Sequence, residues 1–581
     1  MTGATLFPIE ISLFGREEKH QGQLYQCLSK CKVLGRKIKA SRLKPLSSLD
    51  LGNTIPSKAV ADGLVDAYLR TFEGVLRIVH IPTFRAEYDR YWQNPSAANE
   101  AFVILLQLCM ALGTVFHDDV LSMKAKAIGW IYEAQMWLML PPEKSRMTLV
   151  GIQITCLLTL AKSVCAVGQD LTWVMAGSLV RSAMYMGLHR DPRHLAEMTT
   201  YRAEMRRRLW ATILELNLQC SFEAGGLPLI TPDQYDTLPP LNLNDEQLTD
   251  EPDGTYASNL DSPSQTLVQR ELLKSIPLRL RLLQHVNDFR YDQNYEATLQ
   301  LNSGLIQACR EFSKNVPSSA VNGADGGSSN VAPFHISLAE VFLYRCIQAL
   351  HLPVLCTSFE DPRYYFSRRM CLDSALKLTH LWGFSKPRGR ETLSDFRRAT
   401  TNGSGLFRNV PVQSVFVLSI EVTQEKMGGS TGLGYLPTVG ESDVHAYLGQ
   451  ALGWTLDRVR AGEVSAKGPC FLSACLGHAE ALEKGLNRAD TEALILQRAT
   501  ESTLKSWDEL NAMARKIGVV SEEDVNSGEN SMQENTTDEL VAGWDNGWVW
   551  DEADGLSLGG PWAQCQLPLD DDLNKFFGNY N

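Results

Sequence analysis

Two short runs in this 581-residue sequence carry the residue types of catalysis. Gly428-Gly429-Ser430-Thr431-Gly432 fits the glycine-x-serine-x-glycine elbow, which holds a nucleophilic serine on a sharp turn between a strand and a helix. The polar Gln424-Glu425-Lys426 before it, and Gly434 and Pro437 after it, supply neither element, so the run reads as a loop. His117-Asp118-Asp119 offers adjacent carboxylates, and magnesium is held by carboxylates together with water and substrate phosphates. The sequence has no third aspartate three residues on and no second acidic cluster, so these residues are expected to end one helix and cap the next. Neither Gly-x-x-x-x-Gly-Lys nor Gly-x-Gly-x-x-Gly occurs, and the lone His80 and His189 read as structural groups at helix ends. The expectation is a chain that is not an enzyme.

The thirteen cysteines run from Cys27 to Cys565 without a Cys-x-x-Cys. The nearest pairs, Cys27 with Cys31, Cys346 with Cys356 and Cys470 with Cys475, lack the four convergent ligands of structural zinc. They read as reduced, mostly buried thiols, and no cofactor is expected within these residues. The apolar run Ala101 to Phe116 contains Gln107 and falls short of the ~20 residues of a membrane span. The N-terminus, with Glu10, Arg16, Glu17 and Glu18, does not read as a secretory signal. An intracellular protein with no membrane partner is expected.

Charge is unevenly placed. Of the net −12, residues 519–581 hold fourteen acidic side chains against the single Lys575, which leaves the first 518 residues at +1. A near-neutral body argues against a broad nucleic-acid surface, so any DNA contact must come from a local basic segment. One exists: Lys30, Lys32, Arg36, Lys37, Lys39, Arg42 and Lys44 surround an apolar seam of Leu24, Cys27, Cys31, Leu34 and Ile38, spaced by threes and fours like coiled-coil positions. This segment is suited to nuclear import or phosphate contact. Two heptads are fewer than the three or four of a coiled coil, so a homodimer through the seam and packing on the chain's own body both stay open. The acidic tail interleaves Trp544, Trp548, Trp550, Trp562, Phe576, Phe577 and Tyr580 with carboxylates, a composition suited to a coactivator or transcription-machinery groove.

The elements that would position these groups are helices. Apolar residues recur at helical spacing from Ser57, the expected cap of the first helix, to residue 516, broken by Pro82, by Pro141-Pro142 and by loops, whereas strand alternation is scarce. Helices are predicted at 121–140, 145–162, 170–186, 201–220, 264–288, 292–314, 336–350, 362–383, 411–426, 441–460, 468–487 and 489–516, with 386–409 a polar interruption. The fold class is an all-α multi-helix array. The parts are 1–56 with the basic helix, a helical domain over 57–314, a flexible excursion over 315–335, a second helical part over 336–518, and the acidic tail over 519–581.

The middle of the chain carries an ordered set of motifs. A helix ends at Gly187-Leu188-His189-Arg190-Asp191-Pro192. The block Glu204-Met205-Arg206-Arg207-Arg208-Leu209-Trp210 follows, and then Gly226-Leu227-Pro228 and Pro239-Pro240-Leu241-Asn242. Upstream stand Leu64 to Phe72, His80-Ile81-Pro82-Thr83-Phe84 and Tyr88 to Trp92. This order resembles the middle regulatory region of fungal zinc-cluster transcription factors, over roughly residues 24–310. The spacing of Arg206, Arg207 and Arg208 spreads them over about 200 degrees of helix surface, so one must reach a carboxylate, with Glu215 or Glu223 as candidates; the block is expected to tie helix to loop. The resemblance implies a nuclear regulator of RNA polymerase II genes, an activator for a metabolic or biosynthetic gene set. Six zinc-binding cysteines normally precede the basic helix in that family, but only Cys27 and Cys31 precede position 100 here. Zinc is therefore expected only with a cluster missing from this chain, and direct DNA binding stays open. A non-DNA-binding helical adaptor or co-regulator, and a helical metal-dependent enzyme, are the alternatives.

Overall fold

A computed structural model describes residues 23–42, 52–118, 121–140, 143–248, 264–288, 294–316, 331–384, 394–427 and 441–518. Among the described residues every regular element is helical and none is a strand. In chain order the α-helices are α1 (Gln23–Arg42), α2 (Lys58–Arg70), α3 (Glu73–Leu76), α4 (Ile81–Gln93), α5 (Glu100–Gly113), α6 (Lys124–Met139), α7 (Leu149–Val164), α8 (Thr172–Tyr185), α9 (Thr200–Ala224), α10 (Leu267–Val286), α11 (Tyr295–Asn315), α12 (Pro333–His351), α13 (Tyr365–Leu381), α14 (Asp395–Asn402), α15 (Leu406–Met427), α16 (Glu441–Arg460), α17 (Lys467–Glu483) and α18 (Arg488–Lys516). The described residues form two compact units, one within residues 52–418 and one joining residues 23–42 to 419–518.

The larger unit is built around α5, whose residues 103–113 are all buried. A helix apolar on every side must be surrounded, and α2, α6 and α7 pack against it. Its crossing with α2 is close: a Cβ on Gly113 would collide with the Leu64 carbonyl oxygen. A second nucleus is aromatic. Phe72 lies 5.7 Å from Phe116, 5.6 Å from Phe334 and 6.0 Å from Phe407, and Trp382 stacks on Phe396 at 4.9 Å. This cluster makes α12, α14 and the start of α15 part of the same core as α2 and α3, so the excursion at 315–335 is not a boundary between units.

Three local expectations are corrected. The polar stretch 386–409 is not simply an interruption, because α14 lies within it and buries Phe396 while Phe407 follows; two rings outweigh the basic residues around them. Ser57 precedes α2 without a side-chain cap bond, and only its backbone carbonyl, which accepts from the N–H of Val60 and Ala61 at 3.0 Å, joins it to the helix. The helices α6, α7 and α8 start three, four and two residues later than predicted at Lys124, Leu149 and Thr172, and short 3-10 turns at Glu143–Arg146 and Gln169–Leu171 precede the last two.

In the smaller unit α17 and α18 form a hairpin. Gly485, at φ 61°, turns the chain, Asn487 accepts from Asp490 N at 3.0 Å, and the Arg498 guanidinium grips Glu480 across the pair. The α1 seam is buried within this unit. Leu24 packs with Cys470, Ala474, Ile495 and Ala499, whereas Cys31, Leu34 and Ile38 pack with Val459, Ala466, Leu510 and Ala514. The coiled-coil spacing thus serves an intramolecular contact, and a homodimer through the same seam would first have to open it.

Candidate functional site

The triple-arginine block stands in the first half of α9, a 25-residue helix that begins with the Thr199 side chain accepting from Arg202 N and ends with Gly225 at φ 63°. Consecutive positions on a helix point about 100 degrees apart, and each arginine meets a different partner. Arg206 donates to the Met186 carbonyl at 2.7 Å, which secures the end of α8. Arg207 makes a two-pronged bond to Asp191, at 2.9 and 3.0 Å, and a further one to Glu204 at 2.5 Å. Arg208, wholly buried, donates to Asp245 at 2.6 Å and to the Leu243 carbonyl at 3.4 Å.

The same carboxylates hold the loop that returns after α9. Asp191 accepts from Leu238 N at 3.0 Å, Glu204 from Leu241 N at 2.7 Å, and Thr237 Oγ1 donates to Leu188 O at 2.7 Å. Asp245 is the hub. It takes Arg77 and Arg208 together and accepts from Ile81 N at 2.8 Å, while His80 Nε2 donates to its carbonyl at 2.8 Å. Burial alone would raise the Asp245 carboxyl, but Arg77 and Arg208 hold it below the usual carboxylate range. Asp191 behaves alike: burial opposes ionisation, yet Arg207 and the Leu238 and Arg193 N–H groups hold it far down. Arg77 itself closes α3 in the left-handed conformation, at φ 52°, a strained place for a side-chain-bearing residue that its ion pair offsets.

The carboxylates that receive the block are therefore Asp191, Glu204 and Asp245, not Glu215 or Glu223. Those two lie seven and fifteen residues beyond Arg208, at least ~10 Å along the axis at 1.5 Å per residue. They serve a second buried chain of charges: Arg279 grips Glu215 at 2.8 and 2.7 Å, Glu215 accepts from Gln219 at 2.7 Å, Gln219 accepts from Arg345 at 2.7 Å, and Arg345 donates to Glu223 at 2.8 Å. Sequence reading passed over this chain. Its signal was the four-residue spacing of Glu215, Gln219 and Glu223, a polar stripe along one side of α9. Trp210 completes the family motif as a buried ring 5.7 Å from Tyr235 and 6.3 Å from His189.

These arrangements are fasteners. Each buried cation of the arginine block is met by an anion or carbonyl, and the described residues bring no nucleophile to a general base here. Among the described residues no group of three or more His, Cys, Asp or Glu side chains could hold a metal, and no helix is long and apolar enough to cross a membrane. Asp118 is taken by Ser122, whose N–H donates at 3.1 Å; Asp119 and the Gly428–Gly432 run lie outside the described residues.

Of the basic segment, Lys30, Lys32 and Lys37 are exposed on α1, opposite the buried seam. Arg36, Lys39 and Arg42 are on the same helix, their side chains outside what is described, as are Lys44 and the whole of 519–581 with Trp544, Trp548, Trp550, Phe576 and Phe577.

The fungal specific transcription factor domain matches residues 65–300, from α2 to the start of α11. A transcription factor of Aspergillus flavus, lepE, is 32% identical over 499 residues, covering 82% of this chain and 58% of lepE. The transcription factor opdR of Penicillium oxalicum is 37% identical over 382 residues, 63% of this chain and 47% of opdR. The aspyridones cluster regulator apdR of Emericella nidulans is 29% identical over 358 residues, 58% of this chain and 46% of apdR. The chain spans about half the length of these curated relatives. No solved structure matches it.

Proposed function

We propose that this chain, whose residues 65–300 match the fungal specific transcription factor domain, is a nuclear regulator and not an enzyme, and that it activates RNA polymerase II genes of one biosynthetic cluster. The observation that carries the choice of target is the relative apdR, which is named for the regulation of such a cluster. In this reading the helical body of residues 52–418 is the regulatory part, fixed by the Asp245 and Glu215 charge networks. Lys30, Lys32 and Lys37 form a local cationic face for import or for phosphates, and the acidic aromatic segment 519–581 engages a coactivator groove. Zinc, and with it direct reading of DNA sequence, is assigned to no residue of this chain.

The test has two arms. Residues 519–581 fused to an unrelated DNA-binding domain should raise transcription of a reporter, and replacing Trp544, Trp548 and Trp550 by alanine should abolish the rise. In the native host, deleting the coding sequence should lower the transcripts of one contiguous gene set. A silent fusion removes the activation reading, and an unchanged transcript profile removes the cluster reading.

A further inference from the structure

Helix α8 carries an apolar stripe that faces solvent. With the turn Gln169–Leu171 before it, the helix makes one continuous run of about 25 Å. Leu171, Val174 and Tyr185 are 62%, 61% and 74% exposed, and Asp170, Ser178 and Arg181 are exposed beside them. At about 100 degrees per residue, these six positions fall within about 100 degrees of the helix surface. Leu171, Val174, Ser178, Arg181 and Tyr185 alternate by threes and fours, the spacing with which one helix packs along another. The loop after α9 widens the stripe. Trp173 Nε1 donates to Leu227 O at 3.2 Å, Leu229 lies against Gly177, and both leucines are exposed. Single exposed apolar residues are ordinary, whereas a contiguous apolar face marks a contact with a partner.

The charges on the stripe select that partner. The side chains of Asp170 and Arg181 form no hydrogen bond or ion pair among the described residues. Eleven residues apart, they are separated by about 16 Å along the axis and cannot reach each other. A stripe with an unpaired acid near one end and an unpaired base near the other is complementary to its own inverted copy. Two α8 helices set antiparallel about an axis at Ala176 bring each Arg181 to the Asp170 of the other copy. Leu171 then lies against the arginine stem, and Val174 falls across from Ser178, whose small side chain allows close approach. An acidic segment such as 519–581, with its fourteen carboxylates, would meet Asp170 as a like charge. The α1 seam, which has the same spacing, is already closed within the chain.

We propose that the chain self-associates as a twofold dimer through the α8 face, with two Arg181–Asp170 ion pairs across the contact. The proposal is independent of the tail and of the identity of the target genes.

Sedimentation equilibrium of the full chain at concentrations up to about 100 μM should show a monomer–dimer equilibrium. Val174→Glu and Arg181→Glu, each alone, should weaken association by at least about tenfold, because each sets a carboxylate in the contact without a partner or beside a like charge. Both positions are exposed, so the far-ultraviolet circular dichroism of the variants should match that of the native chain. Adding Asp170→Arg to Arg181→Glu exchanges the two signs and should restore the dimer, a rescue that a contact through α1 or through the tail would not give. A native chain that stays monomeric, a dimer indifferent to Arg181→Glu, or a double variant that fails to recover overturns the proposal.

Discussion

Asp245→Asn tests the account of the larger unit most directly. The side chain keeps its size but loses the charge that Arg77 and Arg208 share, and all three groups are buried. Breaking a buried ion pair by removing one partner costs about 3–5 kcal/mol, because a desolvated charge is left behind. For a unit of residues 52–418, unfolding entropy near 2.1 cal/mol/K per residue amounts to about 0.8 kcal/mol/K, so the midpoint should fall by about 4–6 °C. The assay is the thermal transition of the full chain at pH 7 by circular dichroism. Asp66→Asn, which removes the exposed partner of Arg85, serves as the surface control and should cost less than about 1 kcal/mol. Adding Arg208→Met to Asp245→Asn should recover part of the loss, since one orphaned cation is then gone. The folded-state pKa of Asp245 is depressed, so its contribution is present above the unfolded pKa and is lost as pH falls through the folded value; the difference between Asp245→Asn and the native chain should shrink in strong acid. An Asp245→Asn midpoint within a degree of the native one at pH 7 would refute the reasoning.

Other consequences follow from the same geometry. His335 and His351 are buried as neutral rings whose pKa values burial lowers to about 4 and about 3. Stability should therefore be full above the unfolded histidine pKa and fall as pH drops below it, by up to about 1.4 kcal/mol per pH unit for each ring, and His351→Gln should remove its share of the slope in urea titrations at stepped pH. Gly113→Ala forces a Cβ into the Leu64 carbonyl and should destabilise the α2–α5 crossing by about 1–3 kcal/mol, read from the urea midpoint; a neutral result would mean the helices can separate freely. Ile38→Asp places a charge in the α1 seam and should free α1 to trypsin at Lys30 and Lys37 at concentrations that leave the native chain intact. By contrast, Lys30→Glu with Lys32→Glu and Lys37→Glu should leave thermal unfolding within about 0.5 kcal/mol of native while weakening nuclear accumulation of a fluorescent fusion.

How much was legible varies with the range of the interaction. The helices came from local periodicity, and α16 and α18 lie within a residue of their predicted spans. Glycine and proline breaks placed Gly187, Gly225 and the Pro239-Pro240 loop. The motif block around Arg206 to Arg208 was visible as a connector, yet its partners were misassigned, because Glu215 and Glu223 lie too far along the helix while Asp191 and Asp245 are brought in from the loops on either side. The polar stretch 386–409 misled for the same reason: Phe396 and Phe407 count for little in a local average but find Trp382 and Phe72 in the core.

By itself the sequence determined the all-helical class, the breaks, the charge division between body and tail, and the family that its ordered motifs resemble, since each depends on residues close along the chain. Tertiary structure decided the rest. It alone paired Asp245 with Arg77, 168 residues away, and laid the α1 seam on Leu510 and Ala514. Whether a charge is compensated or an apolar stripe covered depends on which surfaces the folded chain brings together, and no local pattern encodes that.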